Sequence, residues 1–214
     1  MSRSLLATAL LLAPLAASAD GAIGFKVSSL GLGLEGAWHL SDRWTLRAGA
    51  QTYDYAFDDE IDGVAYDGDL ALESVTALAD YRPWRGRFRL TAGAVYNNNQ
   101  VIAVADPNAT YTIGNTTYSQ AEVGVLAADV AFDRVAPYAG LGVDIDLGGD
   151  WQLCFDLGAV YQGKPRPTLT STGGVLSGDP QFVADLAREA DNFRDDASDY
   201  DVYPVIAMGL SLAF

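Results

Sequence analysis

Along most of the chain, apolar residues recur at every second position, with small or polar residues between them. Leu30, Leu32, Leu34, Gly36, Trp38 and Leu40 alternate with Gly31, Gly33, Glu35, Ala37 and His39. Trp44, Leu46, Ala48 and Ala50 oppose Thr45, Arg47, Gly49 and Gln51, and Phe88, Leu90, Ala92, Ala94 and Tyr96 oppose Arg87, Arg89, Thr91, Gly93 and Asn97. The same period runs through 138–147 and 151–162, and it closes the chain in YPVIAMGLSLAF, where Ile206, Met208, Leu210, Leu212 and Phe214 share a face. Period 2 is the signature of β-strands with one buried face.

A soluble sandwich alternates in the same way. Two features favour a membrane barrel instead. Aromatic residues gather at strand ends (Trp38, Trp44, Trp84, Trp151, Tyr96, Tyr161, Phe214), as in interfacial girdles. Connections alternate between short (41–43, 82–86, 147–150) and long (about 55–69, 98–134 and 163–200), the pattern of outer-membrane barrels with periplasmic turns. Reading 23–40 as one strand gives an odd count and a segment too long for a single crossing. Splitting it at SSLGLG into strands at about 22–29 and 31–40 makes the total eight and puts both ends on one side. The predicted fold is therefore all-β, an eight-stranded antiparallel up-and-down transmembrane barrel. In the strand at 70–82 two registers compete, Leu70, Leu72 and Leu78 against Val75, Ala77, Ala79 and Tyr81, and a bulge near Glu73–Val75 would reconcile them. In the last long loop, Phe182, Val183, Leu186, Ala190 and Phe193 fall at helical spacing after Asp179-Pro180, which predicts a short amphipathic helix packed on the barrel rim.

Composition agrees with export. MSRSLLATALLLAPLAASA has one early base, a short apolar run and an Ala-Ser-Ala end, so residues 1–19 read as a secretory signal peptide and 20–214 as one barrel domain. A retained anchor is the weaker alternative, because the run is short and holds a proline. Cys154 is the sole cysteine, which rules out an intramolecular disulfide. The net charge of −15 excludes a general basic surface for nucleic acid.

Candidate chemistry lies in two places. The inward face carries Glu35, Arg47, Arg87, Arg89, Asp144, Asp146 and Asp156, read either as an internal ionic plug or as the lining of a narrow polar path. The loops form an acidic mouth with Asp58, Asp59, Glu60, Asp62, Asp185 and Glu189, read either as a solubilising surface or as a funnel for small cationic solutes. DDEID lacks the spacing and glycine of an EF-hand, so no metal site is assigned. His39, the single histidine, sits beside a tight turn away from any nucleophile, so neither catalytic residues nor cofactors are expected. Phe214 ends an alternating strand and reads as a girdle residue and as a signal for the outer-membrane assembly machinery.

The segments DGVAYDGDLAL, DYRPW, TAGAVYNNN, VAPYAGLGV, LGAVYQGKPRPTLTSTG and YPVIAMGLSLAF, in that order, resemble the carbapenem-susceptibility-associated porin family of Acinetobacter-type bacteria. The resemblance covers nearly all of 20–214. It implies a Gram-negative outer-membrane barrel, surrounded by lipid and lipopolysaccharide, that admits basic amino acids such as ornithine and some carbapenems. The expectation is thus a narrow, porin-like uptake protein. A non-conducting barrel, whose acidic loops bind a partner or lipopolysaccharide, is the alternative.

Overall fold

The computed structural model describes residues 20–61, 64–98, 100–105, 111–113, 116–196 and 200–214; for 55–61, 64–71, 100–105 and 196 only the backbone is described. The predicted signal peptide and Asp62 lie outside these residues. Strands β1 (Gly21–Ser28), β2 (Gly31–His39), β3 (Trp44–Ile61), β4 (Val64–Tyr81), β5 (Phe88–Asn97), β10 (Val135–Gly148), β11 (Trp151–Tyr161) and β13 (Val202–Ala213) make the barrel. Between them come β6 (Gln100–Ala105), β7 (Tyr111–Ile113), β8 (Thr116–Tyr118), helix α1 (Gln120–Val123), β9 (Gly124–Ala131), β12 (Arg166–Gly173) and helix α2 (Pro180–Asp196).

Antiparallel pairing runs β4-β3-β2-β1-β13-β11-β10-β5 and returns from β5 to β4, so eight strands close on themselves. Closure joins the first and last strands from Ala22↔Ala213 to Ser28↔Ala207, and Phe214 exchanges backbone hydrogen bonds with Gly21. The terminal strand therefore has neighbours on both edges, which removes the open edge a flat sheet would leave. Ser29 and Leu30 form the tight turn between β1 and β2. Gly31 there adopts φ +119° against the Thr52 backbone, a conformation that suits glycine.

Outward positions are apolar and uncovered, for example Ile23, Phe25, Leu34, Leu141, Leu157 and Ile206. Trp44, Tyr81, Trp84, Phe88, Trp151 and Phe214 ring the short-turn end, with Trp44 and Tyr81 ring centroids 4.9 Å apart. Tyr53, Tyr96 and Tyr161 lie exposed toward the other end. An apolar wall between two aromatic rings is stable only in lipid. Among the described residues no helix is long and apolar enough to cross a membrane.

Three expectations change. The β3–β4 ladder is continuous from Trp44↔Tyr81 to Ile61↔Val64, so no bulge interrupts it at Glu73–Val75. Leu72, Ser74, Thr76, Leu78 and Asp80 point inward together, because part of the interior is itself apolar. The acidic segment at 55–69 is mainly the tip of this hairpin, whose strands are 18 residues each, longer than a crossing requires. Finally, α2 packs on β12 and β7 above the barrel instead of on its rim.

Beyond the membrane the wall continues on one side. β6 prolongs β5 in the same register on β4 (Ser74↔Asn97, then Ala71↔Gln100), and β9 prolongs β10 in the same way (Val135↔Tyr96, then Val101↔Val130). β12 follows β11 and pairs with β9 from Arg166↔Ala131 to Gly173↔Gly124. β7 and β8 pair as a small separate hairpin from Tyr111↔Tyr118 to Ile113↔Thr116, with Gly114 and Asn115 outside the described residues. Asp179 caps α2, its Oδ1 accepting from the N–H groups of Gln181 (2.9 Å) and Phe182 (3.0 Å). In the capping box at α1, the N–H and hydroxyl of Ser119 hold the Glu122 carboxyl below its usual range. This outer layer has its own core of Tyr111, Ile113, Val123, Leu126, Phe182 and Leu186.

Candidate functional site

Strand parity sends Lys26, Glu35, Arg47, Asp80, Arg89, Asp144 and Asp156 into the barrel, and Arg82 reaches in from the turn. Arg47 meets Glu35 (2.9 Å), Asp80 (2.8 Å from Nε) and Asp156 (3.1 Å). Arg89 Nε donates to both Asp144 oxygens at 3.0 and 3.1 Å, and its Nη1 donates to Asp156. Arg82 reaches Asp144 at 2.7 Å, while Lys26 bridges Glu35 and Asp156 (3.4 Å). Thr91 Oγ1 donates to Asp80 at 2.7 Å. Four cations thus meet four carboxylates, and the network is formally neutral. Buried charges persist only when matched in this way.

Small residues make room for the long arms. A Cβ at Gly142 would overlap the Arg89 guanidinium, and one at Gly140 or Gly158 would meet the Tyr138 hydroxyl. Gly142→Ala is expected to push Arg89 off its carboxylates and to cost about 1–3 kcal/mol, as overpacking does. Urea unfolding of the reconstituted barrel checks this, and an unchanged midpoint would mean that Arg89 relocates freely.

Toward the long-loop end the interior becomes mainly apolar. Leu30, Leu78, Val95, Ala136, Tyr138, Val160 and Val205 cluster there with Tyr203 against them, beside the buried polar side chains of Gln51, Ser74, Thr76 and Asn97. Among the described residues, one interior space beside the ionic layer measures about 40 Å³ and another, next to the apolar cluster, about 20 Å³. Such volumes hold a few waters and nothing the size of an amino acid.

Of the residues selected from sequence, Glu35, Arg47, Arg89, Asp144 and Asp156 meet in this one network. Arg87 does not: β5 begins at Phe88, so Arg87 belongs to the turn and is exposed. Asp146 keeps the inward parity but lies at the open strand end, exposed, where it accepts from Gln152 at 2.9 Å. Asp58, Asp59 and Glu60 belong to β3, and Asp185 and Glu189 to α2, so the acidic mouth is spread over separate elements. Asp185 accepts from Arg188 (2.9 Å) and Gln181 (3.2 Å). Lys26, Asp80 and Arg82 were not identified from the sequence. The clue available for Asp80 was its parity with Thr76 and Ser74, and for Lys26 its place among Ala22, Gly24 and Ser28.

A closed antiparallel barrel with a lipid-facing exterior and a packed interior defines an integral membrane β-barrel of the outer-membrane type. Solved structures share this fold. CarO2 of Acinetobacter baumannii superposes with a TM-score of 0.61 at 21% identity, covering 92% of this chain and 99% of that one. CarO of the same organism gives 0.59 at 24%, covering 92% and 98%. No protein-family model matches the chain, and no curated protein matches it significantly. In barrels of this type the short turns face the periplasm and the long loops face outward, which makes the β6–β9–β12 layer extracellular.

Proposed function

We propose that this protein is a non-enzymatic, closed-lumen outer-membrane barrel whose working part is the extracellular sheet-and-helix layer. The observation that carries this reading is the interior itself, where a neutral ionic layer is stacked beneath an apolar one. A network without net charge gives little long-range pull on cations, and the packed layer above it leaves a space of only about 20 Å³. Residues 1–19 act as the export signal, lipid and lipopolysaccharide surround the belt, and the assembly machinery reads the terminal strand with Phe214. The alternative, a narrow path for small cationic solutes, would need both interior layers to rearrange. Liposomes carrying the protein are expected not to swell in ornithine, arginine or an anionic control. Swelling in the two cations alone would establish the channel and overturn this reading.

A further inference from the structure

The extracellular wall ends at β12. β11 is flanked by β13 up to Tyr161↔Val202, but β13 begins there, so β12 continues with β9 on one side only. Among the described residues no strand pairs with its other edge. An exposed edge is a template for one more strand. Pro167 removes one donor near its start and leaves the run Thr168–Gly173, about 20 Å of backbone at the usual rise.

That edge opens into a groove of about 400 Å³ between β12 and α2. Thr168 and Thr170 line it together with Leu169 and Ser171, so residues of both parities face it and the groove follows the strand's edge, not one of its faces. The opposite wall is Val183 and Ala187, one turn apart on α2 and both exposed, with Asp191, itself ion-paired to Arg194 at 2.7 Å, at the rim. From Asp179 to Asp201 the chain carries eight carboxylates against two arginines. That charge disfavours a second copy of the chain, which would bring like against like, and equally disfavours phosphate-rich lipid headgroups.

We propose that the β12–α2 groove binds an extended cationic peptide segment by β-strand addition. Backbone hydrogen bonds to the β12 edge would hold the segment, alternate apolar side chains would enter against Val183 and Ala187, and basic side chains would meet the acidic rim. The inference rests on the reading of the extracellular layer as the working part, but swelling assays test the lumen and peptide binding tests only the groove.

The test uses full-length protein in zwitterionic nanodiscs and a fluorescein-labelled peptide of sequence KVKVTVKV, with empty nanodiscs as the blank. Saturable binding is expected, at least tenfold tighter than for the glutamate counterpart or for a version N-methylated at alternate amides. Ala187→Trp, which fills the groove, and Asp191→Lys, which reverses charge at its rim, should each weaken binding at least tenfold while leaving the barrel's heat-dependent gel shift unchanged. No saturable binding, equal binding of the N-methylated peptide, or indifference to both substitutions would overturn the proposal. So would a concentration-dependent dimer abolished by Ala187→Trp, since a second copy would then be the occupant.

Discussion

Arg89→Met is expected to destabilise the barrel by about 3–5 kcal/mol, the usual cost of breaking a buried ion pair from one side. Arg89 is 1% exposed and grips Asp144 through Nε at 3.0 and 3.1 Å. Methionine fills comparable space but leaves a formally neutral network with one excess negative charge. Arg82 still faces Asp144, and Arg47 and Lys26 still face Asp156, so the loss stays below that of a lone buried carboxylate. Adding Asp156→Leu restores the charge balance, so the double variant should lose less than the sum of the two single losses, a coupling that a mutant cycle isolates. Urea unfolding in lipid vesicles, followed by tryptophan fluorescence, measures all three. A loss under about 1 kcal/mol would give the network the weight of a hydrated surface pair and reject the packed-plug description. Bilayer conductance of Arg89→Met should remain silent, because Val95, Tyr138 and Val205 still close the barrel above the vacated position.

That apolar layer also explains where the sequence was legible and where it was not. The outward face is set by lipid alone, so parity alone located most barrel strands and the inward charges Glu35, Arg47, Arg89, Asp144 and Asp156. The turn between β1 and β2 was legible because two strands of eight and nine residues cannot be one crossing. Inside, two chemistries share each strand. On β4, Leu72 and Leu78 face inward beside Thr76 and Asp80, so the rule of apolar outside and polar inside gives contradictory registers, and Asp80 was lost in the conflict. Arg82 escaped because a turn residue can swing a long side chain into the lumen without sharing any strand's parity.

The extracellular layer was hidden for a different reason. Segments such as Gly124–Ala131 and Arg166–Gly173 carry short β-prone runs with no strong alternation and few fully buried positions, so neither face is marked in the sequence. Read as loops, they lacked the partner that makes them strands. Their pairing is inherited from the barrel below, because β6 and β9 prolong β5 and β10 without a change of register. The helix was legible because its apolar stripe and its Asp179 cap are local. Its landing place was not, since that depends on where the wall ends.

Phe182→Ala should unfold this layer without opening the barrel. Phe182 is 2% exposed, stands edge-on to Tyr118 with centroids 5.0 Å apart, and joins Tyr111, Ile113, Val123, Leu126 and Leu186 in the extracellular core. Truncating a buried phenylalanine costs about 3–5 kcal/mol, and a core this small has little else to draw on. The surface pairs along α2, Arg188 with Asp185 and Arg194 with Asp191, offer little compensation because exposed pairs are weak. The interior packing around Val95 and Tyr138 shares no residue with that core, so the membrane portion should keep its own stability. Amide exchange is expected to accelerate across α2 and β7–β8, with trypsin cutting after Arg188 and Arg194, while the exchange of β1, β2 and β13 stays slow. If the barrel strands lost protection in step with α2, the two layers would be one cooperative unit, and the extracellular groove could not be altered independently of the membrane anchor that carries it.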